Sequence, residues 1–66
     1  MEYKNSEIAL LIDEHIHNAR NREMLKRRLI DGIVFERLAE EFDLSVRQTK
    51  NIIYREQEKL FRRANL

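Results

Sequence analysis

Cysteine and proline are absent from this chain of 66 residues, and glycine occurs once. Without cysteine there is no disulfide framework and no thiolate metal site. Without proline, and with a lone glycine, collagen repeats, proline-rich ligands and Gly-rich phosphate loops are excluded as well. Tryptophan is missing too. Phe and Tyr are few and form no aromatic stacking platform in the sequence, so RNA recognition is less expected than duplex DNA. The longest apolar run, Ile8-Ala9-Leu10-Leu11-Ile12, is far shorter than the ~20 residues that a helix needs to span a bilayer. The opening Met1-Glu2-Tyr3-Lys4 has no basic stretch leading into an apolar one, so no signal peptide is expected. These absences lead to the expectation of a soluble cytoplasmic protein with no membrane partner.

What is present suits a small folded domain. Leu, Ile, Val and Phe account for twenty residues, above the ~20% level below which chains tend to stay disordered. A chain this short buries only ~60% of the surface it exposes when unfolded, which argues against a large catalytic cleft. Without cysteine it needs an efficient core or a partner chain.

The net charge of +1 conceals alternating blocks. Residues 1–19 carry a net −3, 20–30 a net +4, 31–44 a net −4 and 45–66 a net +4. Nucleic acid responds to local rather than total charge. Equally, acidic and basic blocks on different helices could neutralise one another within the fold.

High Leu, Glu, Arg and Lys content without proline predicts an all-α chain of four helices. The first, about 6–17, would be capped by Asn5 or Ser6. Ile8, Leu11, Ile12, His15 and Ile16 fall on one face of it, and Leu10 on the opposite face. The second, about 19–30, would be capped by Asn18. It would turn Met24, Leu25 and Leu29 inward and leave Arg20, Arg22, Lys26 and Arg27 outside. Gly32 is placed to end it in a left-handed conformation. The third, about 35–42, carries Phe35, Leu38, Ala39 and Phe42 at i, i+3, i+4 and i+7. The fourth, about 45–63, opens with Ser45 and Gln48 in a capping-box pattern.

Residues 35–55 have the pattern of a helix-turn-helix without a wing. Ala39 is the small residue needed where the second helix crosses close to the first. Asp43 stands where the turn requires a residue tolerant of positive φ. Leu44 is the apolar plug after the turn. Leu38, Phe42, Thr49 and Ile52 would lock the two helices, with the Thr49 hydroxyl bonding a carbonyl one turn back.

On these residues the chain from Arg20 to Leu60 resembles region 4 of bacterial RNA-polymerase sigma factors, especially the extracytoplasmic-function type. Leu29-Ile30-Asp31-Gly32-Ile33-Val34-Phe35-Glu36-Arg37-Leu38-Ala39-Glu40 is similar to that family's Gly, aromatic, acidic, Ile/Leu-Ala-Glu pattern. Ser45-Val46, Lys50, Ile53, Tyr54-Arg55 and Leu60 follow its recognition helix. The departures are Thr49, where the family usually has Val or Ile, and Asn18, where it often has Pro. The resemblance implies a helical domain that reads duplex DNA in the major groove, with RNA polymerase as a second partner. It also suggests a small bacterial regulator of the phage or mobile-element kind. The promoter-melting part of a sigma factor is a separate domain, so these 66 residues are not expected to act as a complete sigma factor.

At 100° per residue, Val46, Thr49, Ile53 and Leu60 point to the core of the fourth helix. Arg47, Gln48, Asn51 and Arg55 point away, with Lys50 and Tyr54 at the border. Base edges are read near the start of a recognition helix, so Arg47, Gln48, Lys50 and Asn51 are the candidate base-reading residues. Arg22, Lys26, Arg27, Ser45, Arg55 and Lys59 are the candidate phosphate contacts.

No chemistry of another kind stands out. His15 and His17 lie ~200° apart on a helix and cannot chelate one ion together. Ser6, Ser45 and Thr49 have capping or packing roles and no His base beside them. Glu40-Glu41 and Asp13-Glu14 point apart and do not form a general acid/base pair. A non-enzyme without cofactor or metal is expected. The competing reading is a helical interaction protein, such as an adaptor that binds RNA polymerase without reading DNA. Because one module covers little DNA, a homodimer is expected. Leu10, Phe61 and Leu66 would meet across a two-fold axis, with the first and last helices at the interface. The alternative is that the first helix folds over the fourth within one chain.

Overall fold

A computed structural model describes residues 3–64. Four helices follow one another: α1 (Asn5–His15), α2 (Ala19–Leu29), α3 (Phe35–Glu41) and α4 (Val46–Arg63). No strand occurs among the described residues. The all-α expectation and the order of the helices hold.

The boundaries of α1 differ from those read in the sequence. Its cap is Lys4 rather than Asn5 or Ser6. The Lys4 N–H donates to Glu7 Oε1 at 3.2 Å, so a glutamate in the first turn ties down the entry. At the other end the helix stops at His15 instead of His17. Ile16 leaves it in an extended conformation (φ −109°, ψ 114°) and drives its side chain fully into the core. The carbonyls freed by this early stop are taken up by arginines. Arg22 Nη1 donates to Ile16 O at 3.1 Å and to His17 O at 3.0 Å. Arg63 Nη1, from the far end of α4, donates to His15 O at 3.2 Å. Cationic donors at a helix C-terminus also complement its dipole.

α2 begins as expected, with Asn18 Oδ1 accepting from the Asn21 N–H at 3.0 Å. It ends one residue early, at Leu29, and Ile30 is its capping residue. Gly32 then takes φ +68°. A Cβ there would meet no atom within 4 Å, so glycine serves the backbone conformation and not the space. The turn folds back until the Ile33 N–H donates to Arg27 O at 3.2 Å.

α3 ends at Glu41, one residue before the expected Phe42, which is its C-cap. Ala39 is buried. Asp43 has φ +56°, the one positive φ outside glycine among the described residues. The Leu44 N–H returns to Ala39 O at 2.9 Å. Ser45 and Gln48 form a reciprocal capping box, each side chain accepting from the other's N–H at 3.0 Å. Thr49 is fully buried, and its hydroxyl donates to Ser45 O at 2.9 Å. That bond lets a polar residue occupy an apolar position without an unsatisfied donor.

The core is one cluster of Ile12, Ile16, Met24, Leu25, Leu38, Ile52, Ile53 and Leu60. Every helix contributes, and α4 packs against each of the other three. α1 therefore lies over α4 within a single chain. This is the arrangement expected as the alternative to a two-fold interface, and Ile8, Ile12 and Ile16 pack into the shared core.

Candidate nucleic-acid interface

α4 is the longest helix, and its two sides are chemically opposite. Thr49, Ile52, Ile53, Glu56 and Leu60 are buried. Arg47, Gln48, Lys50, Asn51, Tyr54 and Arg55 are exposed. The four residues read as base contacts thus share one end of one surface. Gln48 is partly committed, since its Oε1 holds the Ser45 N–H. Its amide NH₂ makes no hydrogen bond among the described residues. Among the described residues Arg47 and Asn51 make no side-chain hydrogen bond or ion pair, and both are exposed. Lys50 leans sideways and brings Nζ to 5.7 Å from the centre of the Phe35 ring. Tyr54 meets that ring edge-on, with centroids 5.7 Å apart and planes at 74°.

The residues read as phosphate contacts fare differently. Lys26 Nζ lies 2.8 Å from Asp13 Oδ1, and Arg22, already bonded to two carbonyls, lies 4.0 Å from the same oxygen. Arg27 grips Glu41 in a two-pronged pair, Nε to Oε1 at 3.0 Å together with Nη2 to Oε2. It also donates to Asp31 Oδ2 at 3.0 Å. The hydrogen bond from Arg27 holds the Glu41 carboxyl below its ordinary value of 4.5 against the opposing effect of desolvation. The hydrogen bonds to Glu41 and then Asp31 raise the Arg27 guanidinium in turn. The α2 row that the sequence left for solvent or phosphate is therefore largely spent inside the fold. The acids that neutralise it come from α1, from the turn after α2 and from α3.

Ser45 is exposed at the head of α4. Arg55 and Lys59 lie further along α4, and both approach Glu56, at 3.9 and 3.1 Å. Glu56 itself is only 3% exposed, which the sequence reading missed. The signal was there, because position 56 falls three residues after Ile53 and four before Leu60 on the inward side of α4. Arg62 pairs with Glu58 at 2.6 Å. Both halves of α4 carry a net +2, but in the C-terminal half Arg55, Lys59 and Arg62 have acid partners, whereas the N-terminal half has no acid of its own.

Of the residues read as a dimer contact, Leu10 is 66% exposed and Phe61 is partly exposed, whereas Leu66 lies outside the described residues. Phe61 borders an apolar recess with Tyr3, Ile8, Leu11, Leu29 and Leu60. His15 sits half-buried at the core edge. No group of three or more metal-ligating side chains occurs among the described residues. No described helix is long and apolar enough to cross a membrane. No protein family, curated protein or solved structure matches the chain.

Proposed function

We propose that the chain binds duplex DNA through a helix-turn-helix made of α3 and α4, residues 35–55, and acts as a transcriptional regulator. One observation carries this reading. The first turns of α4 present Arg47, Gln48 and Asn51 to solvent, while the inner side of the same turns is fixed by the Ser45 cap, the Thr49 bond and the core. A helix held so firmly on one side, with bidentate hydrogen-bonding groups on the other, suits the major groove. Arg47 prefers guanine and Asn51 adenine, with Gln48 as a second adenine reader. Lys50 stands at the flank. Ser45, Arg55 and Lys59 hold phosphates on either side of the groove. Arg55 and Lys59 would exchange their shared partner Glu56 for phosphate, and Arg22, Lys26 and Arg27 would each have to give up partners on other parts of the fold. The resemblance to sigma region 4 points in the same direction.

The apolar recess around Phe61 supports a second contact, either RNA polymerase or a second copy of the chain. Such a copy would also cover Leu10. In the adaptor reading this recess would act alone and α4 would carry no sequence preference.

Selection of bound sites from random duplex DNA tests the proposal. The parent chain should enrich a defined sequence. Arg47→Ala and Asn51→Ala should each lose preference at separate positions of that sequence. A folded parent that enriches nothing contradicts DNA reading and leaves the adaptor.

A further inference from the structure

The proposed function leaves unexplained a cluster of cations and aromatics where α2, α3 and α4 meet. Arg28, in the last turn of α2, places its guanidinium carbon 4.1 Å from the centre of the Phe35 ring. Lys50 approaches the same ring from α4, and Tyr54 packs its edge against it. Arg28 is held in place by a second contact, Nη1 donating to Ile33 O at 3.0 Å. One donor of five is thereby used. Among the described residues Arg28 and Lys50 belong to no ion pair, as is true also of Lys4, Arg20, Arg47 and Arg63, whereas Arg22, Lys26, Arg27, Arg37, Arg55, Lys59 and Arg62 do. The edge of the cluster is open, with Val34 58% and Tyr54 55% exposed.

Both cations lie against one aromatic ring with no acid in ion-pair contact among the described residues, so an anion arriving at this edge of the fold meets positive charge that no carboxylate has taken. A stacked guanidinium is also pre-organised for bidentate contact with phosphate oxygens. We infer that Arg28 and Lys50, seated on Phe35, form a phosphate seat for the DNA backbone. The ligand is a phosphodiester of the strand beside the bases read by Arg47 and Asn51. The Tyr54 hydroxyl is the additional donor at the rim. This inference rests on the DNA-binding reading and deepens it. It replaces the spent α2 row of Arg22, Lys26 and Arg27 with its neighbour Arg28. It also moves Lys50 from reading bases to holding the backbone.

The test is the salt dependence of binding to a random-sequence duplex and to the selected site. Each phosphate contact adds close to one counterion to the slope of log K against log salt concentration. Arg28→Gln and Lys50→Gln should each reduce that slope by about 1 and weaken both duplexes alike, leaving the preferred sequence unchanged. Arg28→Lys should restore the slope. Arg22→Gln should not alter it. Thermal melting checks that each variant is folded, and the exposed Lys50→Gln decides the matter if Arg28→Gln does not fold. A parent that binds, with slopes unchanged in the folded variants, overturns the phosphate seat alone. A change of base preference in Lys50→Gln overturns it too. A parent that binds no duplex overturns the seat and the DNA-binding reading together.

Discussion

Two stretches of this chain carry the same net charge of +4, residues 20–30 and 45–66, and the middle of the first differs from the start of the second in how the fold pairs its cations. On α2 the cations Arg22, Lys26 and Arg27 are consumed by Asp13, Asp31, Glu41 and the carbonyls at the end of α1. On the first half of α4, Arg47 and Lys50 meet no acid among the described residues. A basic block in a sequence is therefore not yet a basic surface. The acidic blocks 1–19 and 31–44 flank α2 in sequence and also pack around it in space. Exposed ion pairs of this sort contribute little stability each. Their greater effect here is to occupy Arg22, Lys26 and Arg27 while Arg47 and Lys50 at the start of α4 keep no acid partner among the described residues.

The largest expected effect removes the geometry that presents α4. Ala39→Leu should force α3 and α4 apart at their closest approach and destabilise the fold by ~1–3 kcal/mol, measured by urea unfolding. A variant that unfolds like the parent would contradict the close crossing at Ala39. Next come the groups offered to DNA. Arg47→Ala and Asn51→Ala should each weaken the selected site by ~1–3 kcal/mol without lowering the melting temperature. Ser45→Ala should cost ~1 kcal/mol of stability, since the Gln48 N–H loses its acceptor.

Smaller effects probe the neutralised side. Glu41 has its folded pKa lowered by the hydrogen bond from Arg27. Its pairing therefore contributes fully above the unfolded value of 4.5 and is lost as pH falls through the folded value. Melting followed from neutral to acid pH should show this loss, and Glu41→Gln should flatten that part of the profile. High salt should shrink the difference, because the pair is solvent-accessible. Smallest of all, Lys26→Gln should leave DNA affinity almost unchanged. A loss as large as that of Arg47→Ala would erase the distinction between the two basic stretches.

How much of this was readable in advance depends on the range of the interactions. The unit from Ala39 to Thr49 was readable because each feature is local. A capping box spans three residues, a left-handed turn residue is one position, and the Thr49 hydroxyl reaches one turn back. Asn18 and Gly32 were readable for the same reason. The end of α1 was not. It depends on Ile16 finding space in a core built by all four helices, and on Arg22 and Arg63 arriving to hold the vacated carbonyls. The fate of the α2 cations was hidden similarly, because Glu41 lies fourteen residues beyond Arg27. Arg28 escaped notice because its significance comes from Phe35 and Lys50 being brought beside it. The burial of Glu56, and that of Asn21 beside Met24 and Leu25 on α2, were misses that periodicity alone would have corrected.

The most direct measurement is backbone chemical-shift mapping of the whole chain as a random-sequence duplex is added at low salt. Perturbations should concentrate on residues 45–55 and on Arg28, while Arg22, Lys26 and Arg27 stay close to their free positions. Shifts centred on the α2 row, or confined to the recess around Phe61, would contradict the assignment of α4 as the DNA-facing element.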